Sequence, residues 1–399
     1  MPKQRANGRR QPQRGYAMLA TIAVIGVAAT AAVTTTFGTT SAGSRQSTKT
    51  STALAQAKQA LISRAASDAN HPGSLPCPDA VTNIAGNNVP NDGIADLLAG
   101  QSCPSSIGHL PWRTLGLPDL RDADGERLWY MLAPAYQDSP SKVINPGTSG
   151  QITAYECADD QPATQAWPCD HPRAVSATPW VAVVFAPGKQ LGDQMRDAAH
   201  ANDVAQFLES YNPADPLRLR IAAGAAHNDR VATISSDDIF ALAQRRIANE
   251  LQVVLAKYHA ATAAQGEARL PWPAAACSSS TLCAATPLSA PLPATARGFL
   301  PSDDAELNQI MAAQNMAWFD HNHWRTTMTY SIDAGCAATD VTALCGAAVA
   351  TLAAAAFPAG TTVVGGISNT LPPGTRAVLA FAGVAGGTAK TRIAFALQQ

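Results

Sequence analysis

A long stretch without charge near the N-terminus restricts what this chain can form. Residues 16–37 contain no charged side chain, and five basic residues crowd the leader before them: Lys3, Arg5, Arg9, Arg10 and Arg14. As a helix this stretch would reach roughly 33 Å, which is enough to cross the hydrocarbon core of a bilayer. The positive charges predict that the leader stays in the cytoplasm and that the chain beyond residue 40 is exported.

A cleaved signal peptide is the alternative explanation of this stretch. Signal peptides have apolar cores of about 7 to 15 residues, followed by small residues at the cleavage site. Ala28 to Ala32 would supply such a site. A permanent anchor and a cleaved signal both export the rest of the chain, so both place its eight cysteines in an oxidising compartment.

The composition indicates a folded α+β protein. Its 399 residues are 46% hydrophobic, which suffices for a substantial core in two or three domains. Removing the five leader charges from 28 Lys and Arg leaves 23 against 29 Asp and Glu, a balance of −6 that argues against nucleic-acid binding. Few aromatic residues and many Ala, Thr, Gly and Pro are typical of short strands and many turns outside the helices.

The N-terminal order of features resembles the leader of type IV pilins and type II secretion pseudopilins. It consists of a basic leader, Gln13-Arg14-Gly15, the aromatic Tyr16 and then an apolar helix. The resemblance implies that a prepilin peptidase cuts after Gly15, so that Tyr16 becomes the first mature residue. It also implies that the apolar helix remains as an inner-membrane anchor and assembly stalk, with other pilins or pseudopilins as partners.

One position departs from the family pattern. Most pilins carry a glutamate at the fifth mature position, where this chain has Ala20. In the family that carboxylate is thought to pair with the free amine of a neighbouring subunit, because an unpaired charge in the apolar filament core would be costly. In lacking this glutamate, the chain resembles the large tip pseudopilin of type II secretion and some minor pilins, which cap or prime a filament. An ordinary signal anchor also has no need of this glutamate.

Two segments beyond the anchor are predicted to form helices. Before the first of these two helices, a Thr-, Ser- and Gly-rich stretch is expected to interrupt the helical conformation near Gly38 and Gly43. That first segment, up to residue 67, places four apolar residues on one face: Leu54, Ala57, Leu61 and Ile62. The second follows an N-cap signal at Ser235 to Asp238, and six apolar residues have helical spacing: Ile239, Leu242, Ile247, Leu251, Val254 and Leu255.

Short sequence echoes at a nearly constant offset predict an internal duplication. Four pairs recur 190 to 200 residues apart: Leu75–Pro78 with Leu270–Pro273, Gly108–Pro111 with Gly298–Pro301, Tyr130 with Tyr330, and Ala182–Gly188 with Ala377–Gly383. Chance recurrence of Leu-Pro pairs is the alternative in a chain with 28 prolines. In the duplication, each module has a helix, an LPxP turn, a G-x-LP turn and strands.

The expected fold is α+β, with an N-terminal transmembrane stalk helix followed by two pilin-like helix-plus-antiparallel-sheet modules. In pilins a sheet packs against the outer half of the stalk helix. The expected boundaries are 1–15 for the leader, 16–44 for the transmembrane helix, 45–70 for the outer stalk helix, and 71–235 and 236–399 for the two periplasmic modules.

The cysteines are expected to form structural disulfides. Eight cysteines allow 105 pairings, and the duplication favours pairs between neighbours in sequence: Cys77–Cys103, Cys157–Cys169, Cys277–Cys283 and Cys336–Cys345. A zinc site would need close pairs such as CxxC, and the sequence contains none.

One candidate for metal binding is the loop around Gly93. Asn91, Asp92 and Asp96 have a spacing similar to that of calcium loops. The carboxylates are too few for a complete calcium site, which favours an Asx turn instead. Apart from this calcium candidate, no cofactor is expected.

A second candidate is the DHNHW segment. On a strand, His321 and His323 would point to one face and could hold a metal together with Asp320. Because no third histidine or carboxylate cluster stands nearby, a polar surface loop is the favoured interpretation.

Protein contact is the function that these patterns favour. The sequence carries no GxSxG, HExxH, P-loop or dinucleotide-binding motif. We therefore expect a noncatalytic, minor pilin-like or pseudopilin-like component. A membrane-anchored or secreted adhesin is one alternative, and an anchored periplasmic enzyme is another.

Overall fold

The computed structural model shows a mixed α+β fold with largely antiparallel sheets, as the sequence predicts. It describes residues 41–82, 89–97, 102–156, 173–192, 194–221, 227–266, 269–274, 276–279, 281–283, 295–333, 362–364, 375–382 and 391–398. No helix in these ranges is long and apolar enough to span a membrane, and the apolar segment 16–37 lies outside them. The compact unit Lys49–Gln399 contains all three sheets.

Helices and short strands follow one another along the chain. The first half contains α1 (Ser41–Ser67), β1 (Ile107–His109), β2 (Trp129–Leu132), β3 (Thr153–Glu156), β4 (Arg173–Ala174), β5 (Ala182–Ala186), β6 (Arg218–Ile221) and β7 (Arg230–Ile234). The second half contains α2 (Ser236–Ala264), β8 (Thr295–Gly298), α3 (Ala305–Ala313), α4 (Ala317–His321), β9 (Met328–Asp333), β10 (Thr362–Val364), β11 (Thr375–Ala382) and β12 (Thr391–Gln398).

The first helix confirms the predicted apolar face and has no break at Gly43. The four apolar residues predicted for this face are all buried. α1 runs unbroken through Gly43, because a single glycine costs a helix only about 1 kcal/mol relative to alanine. The helix ends at Ser67, and Gly73 then adopts φ +108° and donates its N–H to the carbonyl of Ala65 (2.9 Å).

The second helix begins at the predicted N-cap. Ser235 and Asp238 form a capping box in which each side chain bonds the backbone N–H of the other. Five of the six predicted apolar residues are buried, whereas Leu242 is 41% exposed. α2 lies beside α1 and runs parallel to it, because Lys58 bonds Asp238 and Arg246 bonds the carbonyl of Ala66, each across 180 residues.

The two larger sheets repeat one pairing pattern. In the first, with strand order β1-β2-β5-β7, Tyr130 lies opposite Gly108 on one side and Val184 on the other. In the second, with order β10-β12-β11-β9-β8, Tyr330 lies opposite Gly298 and Leu379. These registers match the sequence echoes, as a duplication requires.

Both sheets and both long helices contribute to one apolar core. Every residue of β2 and β5 is buried, which fits central strands that are covered on both faces. The same buried cluster includes α1 residues such as Leu61, α2 residues such as Leu251, and β11 residues such as Leu379. The two halves are therefore packed together through their interior. A third, smaller sheet has the order β4-β3-β6.

Candidate functional site

A polar clasp holds the loop of residues 89–97 against the segment that follows the first LPxP turn. Asp79 Oδ2 accepts the backbone N–H of Gly93 (2.8 Å), and Asp96 Oδ2 accepts that of Ala80 (2.8 Å). Each carboxylate thus satisfies a backbone donor on the opposite side of the clasp. The loop is therefore fixed without helix or strand.

The predicted calcium candidates lie in this loop, and their side-chain oxygens accept hydrogen bonds from the protein. Asp92 Oδ1 accepts the N–H of Ile94 (2.8 Å), which confirms the Asx turn. His109 Nδ1 donates to Asn91 Oδ1 (2.6 Å). With Asp96 bonded to Ala80, all three candidates stabilise the loop itself, and calcium binding stays a prediction.

Two residues of the clasp have shifted pKa values. Burial raises the pKa of the Asp79 carboxyl to about 6; the hydrogen bond from Gly93 acts against this rise, and the negative charges of Asp92 and Asp96 add to it. Burial lowers the pKa of His109 to about 4, and the nearby Arg127 charge lowers it further. The imidazole is therefore neutral at pH 7.

The second half shows what the fold alone requires at this point. Asp79 and His109 form an antiparallel bridge, and the equivalent bridge in the second half joins Ala274 and Phe299. A small residue and an aromatic ring thus suffice for the backbone pairing. The acid and the imidazole are additional features of the first half, where they hold the loop. Sequence reasoning missed both, although aligning the GHLP and GFLP echoes would have pointed to His109.

The clasped loop presents apolar side chains to solvent. Val89 is 66% exposed, and Ile94 and Leu97 are each 47% exposed. A shallow concavity with room for about 10 Å³ lies nearby, lined by His109, Leu110, Trp112, Asp119, Leu120, Arg127 and Leu128. Enclosed ligand pockets usually measure about 300 to 1,000 Å³. The arrangement suits contact with another protein better than enclosure of a small molecule.

The DHNHW segment lies at the junction of the two halves and is not a surface strand. Asn322 is fully buried, accepts the N–H of Ile144 through Oδ1 (3.0 Å) and accepts Asn145 Nδ2 through its carbonyl (2.9 Å). Its Nδ2 also donates to the carbonyl of Asn70 (3.3 Å). The prediction of a surface loop is therefore wrong for Asn322, which is one of the groups that join the halves.

The neighbouring residues of this segment have separate structural roles. His323 adopts the left-handed conformation (φ +57°) that turns the chain after α4. His321 bonds the carbonyl of Pro140 (3.1 Å), and Asp320 pairs with the buried Arg325. The metal hypothesis requires both imidazoles on one face of a strand. The chain here is helix and turn, so they do not share such a face.

A metal-compatible cluster that the sequence analysis missed lies near this junction. Asp68, His71 and Asp138 bring ligand-type atoms within 4.8 Å of one another. Arg64 donates to both carboxylates, at 2.6 Å to Asp68 and 3.2 Å to Asp138. Burial acts to raise the pKa of Asp68, but the N–H groups of His71 and Asn70 together with Arg64 lower it. The guanidinium thus supplies the positive charge that these carboxylates require.

The other predicted site residues divide between described and undescribed parts of the chain. Cys77–Cys103 and Cys277–Cys283 are disulfide-bonded, as predicted. The remaining site residues lie outside the described ranges: Gly15, Tyr16, Cys157, Cys169, Cys336 and Cys345.

Comparisons with known proteins found no relative of this chain. No protein-family model, no curated protein and no solved structure matches this chain.

Proposed function

We propose that this protein is a noncatalytic minor component of a type IV pilus or type II secretion system, similar to pilins or pseudopilins, and that it acts by protein–protein contact. In this proposal the segment 16–37 crosses the inner membrane with its N-terminus in the cytoplasm. The folded unit lies in the periplasm or on the filament.

The observation that supports this proposal most is the way α1 connects the apolar segment to a sheet. Only residues 38–40 separate the apolar stretch from Ser41, the first described residue of α1. α1 then buries Leu54 and Leu61 in the same core as β2 and β5. A helix that leads from an apolar N-terminus onto an antiparallel sheet corresponds to the pilin plan that the leader resembles.

The clasped loop 89–97 is the surface that we assign to partner contact. Its three exposed aliphatic residues would lose contact with water on binding, which favours association. Because the clasp already fixes the loop, little further conformational entropy is lost when a partner binds.

N-terminal sequencing of the mature protein tests the proposal. Coexpression with a prepilin peptidase should give a chain that begins at Tyr16, and replacing Gly15 with Val should block this cleavage. A mature chain that begins after residue 28 would instead support secretion by a signal peptidase. An intact leader would support a plain anchor.

Copy number tests the assignment to a minor role. Because Ala20 replaces the glutamate of shaft subunits, we expect few copies in each filament. Quantitative immunoblotting of sheared filaments would contradict this assignment if the protein were as abundant as the main subunit.

A further inference from the structure

The connection between β5 and β7 carries an insert that the second half lacks. Val184 pairs with Ala232, 48 positions later, whereas Leu379 pairs with Phe395, only 16 positions later. The longer connection contains the smaller sheet's strand β6 and the loop around Glu209. Polar contacts hold this insert near the start of β7.

Two acidic residues fasten the insert through a reciprocal clasp. Asp229 Oδ2 accepts the N–H of Ser210 (2.8 Å), while Glu209 Oε2 accepts the N–H of Asn228 (3.2 Å). Because each acid bonds the amide next to the other acid, their carboxyl groups lie side by side. Glu209 Oε1 also accepts a hydrogen bond from Gln194 Nε2. Three segments of the chain thus meet at this pair.

The surrounding charges do not neutralise the pair directly. Arg196 contacts Glu209 only indirectly, through Gln194 Oε1 (2.8 Å). Its guanidinium also bonds Glu126 and the carbonyls of Gly188 and Phe207. Among the described residues, no ion pair involves Glu209 or Asp229. The other ionisable groups on the adjoining segments are Lys189, Tyr211, Arg218, Arg220, His227 and Arg230.

Two adjacent carboxyl groups without a counterion favour a state in which one of them keeps its proton. Both negative charges together would repel each other, and a shared proton turns that repulsion into a hydrogen bond. Burial raises the pKa of the Asp229 carboxyl well above its usual value, and the neighbouring Glu209 charge raises it further.

We propose that Asp229 keeps its proton in the folded protein and donates it to Glu209, and that this hydrogen bond fastens the insert to the start of β7. When the insert detaches, Asp229 returns to water and ionises. Loss of the proton at higher pH leaves two facing carboxylates and loosens the clasp.

The direction of the pH effect follows from proton binding. The fastened insert holds a proton that the detached insert releases, so raising the pH favours detachment. The equilibrium constant for detachment should rise by up to about tenfold per pH unit until the fastened pair itself loses the proton.

Amide hydrogen exchange on the full-length protein in detergent tests the proposal between pH 5 and 9, with rates normalised to intrinsic exchange. We expect opening of residues 207–211 to increase by up to about tenfold per pH unit in the native protein. Asp229→Asn should abolish this dependence, since its amide bonds Glu209 without a titratable proton. Glu209→Gln removes the neighbouring negative charge but leaves Asp229 buried, so it should shorten the pH range over which opening increases.

Asp215→Asn is the matched control, because Asp215 is an exposed acid of the same insert. It should keep the native pH dependence, and peptides from β2 and β5 report whether each variant is folded. A native protein without pH dependence, or an Asp229→Asn variant with the native slope, would overturn the proposal. The proposal would also be overturned if added calcium restored protection at pH 8 in the native protein but not in Glu209→Gln. The two carboxylates would then hold a cation.

Discussion

Gly108 and Gly298 occupy equivalent positions in the two larger sheets, each with its Cα against the backbone that follows an LPxP turn. A Cβ at Gly108 would lie 2.3 Å from the carbonyl oxygen of Asp79, and one at Gly298 would lie 2.1 Å from that of Ala274. Neither distance is compatible with a side chain. The glycines are thus needed because two backbone segments approach closely at the same point of each half.

Replacing either glycine with alanine should destabilise the protein. We expect Gly108→Ala and Gly298→Ala each to lower the free energy of unfolding by about 2 to 4 kcal/mol, because backbone rather than a flexible side chain must move. Chemical denaturation would measure this loss. Gly116→Ala is the control, since its Cβ meets no neighbour and costs only about 1 to 2 kcal/mol for the left-handed conformation. Equal losses in all three variants would contradict the explanation.

Removing the Asn322 side chain should weaken the junction between the halves. Asn322→Ala leaves the N–H of Ile144 and the carbonyl of Asn70 without this partner, which should cost about 2 to 4 kcal/mol in unfolding free energy. Thermal unfolding would measure the change. Exposed His321 makes one hydrogen bond to a carbonyl, so His321→Ala should cost less than about 1 kcal/mol. A larger loss for His321→Ala would mean that the junction depends on the imidazole.

Asp79→Asn should stabilise the protein at pH 7.5 and have less effect at pH 4.5. The folded-state pKa of about 6 lies above the ordinary aspartate value of 3.8, so the native protein loses stability as the pH rises between these values. Asparagine keeps an acceptor for Gly93 without the buried charge, and the gain should be at most about 3 kcal/mol. Urea unfolding at both pH values measures it. A gain of the same size at pH 4.5 would contradict this explanation.

His109→Phe should remove an acid-dependent loss of stability. The folded-state pKa of about 4 lies below the ordinary histidine value of 6.5, so the fold loses stability as the pH falls from 6.5 to 4, by at most about 3 kcal/mol. Phenylalanine occupies the equivalent position in the second half. The variant's unfolding free energy should therefore fall less over this range than that of the native protein. Parallel pH profiles would show that His109 does not titrate as proposed.

The two disulfides of the described chain should differ in their contribution. Cys77–Cys103 spans 26 residues and Cys277–Cys283 spans 6. Loop-closure entropy predicts losses of about 3.5 and 2 kcal/mol when each pair is replaced by serines. Denaturation of the two double-serine variants would compare them, and a crosslink between the halves in nonreducing peptide maps would contradict the assigned pairing.

Local patterns in the sequence determined the two long helices, the N-cap of the second, two of the disulfides and the α+β class. These features depend on residues that are close in sequence, such as Ser235 with Asp238, or on a periodicity that a single helix face imposes, as with Leu54 and Leu61. The short echoes fall at equivalent paired positions, Tyr130 opposite Gly108 and Tyr330 opposite Gly298, and this pairing became visible only in the sheets.

Only the tertiary structure decided the roles of the polar residues. Asn322 joins segments 252 residues apart, and Asp79 acquires its raised pKa from burial and from charges on a different loop. Arg64 can donate a hydrogen bond to Asp138 only because Asp138 lies near the end of α1. Burial, desolvation and hydrogen-bond partners depend on which segments meet in space, and a linear motif such as DHNHW carries no record of them.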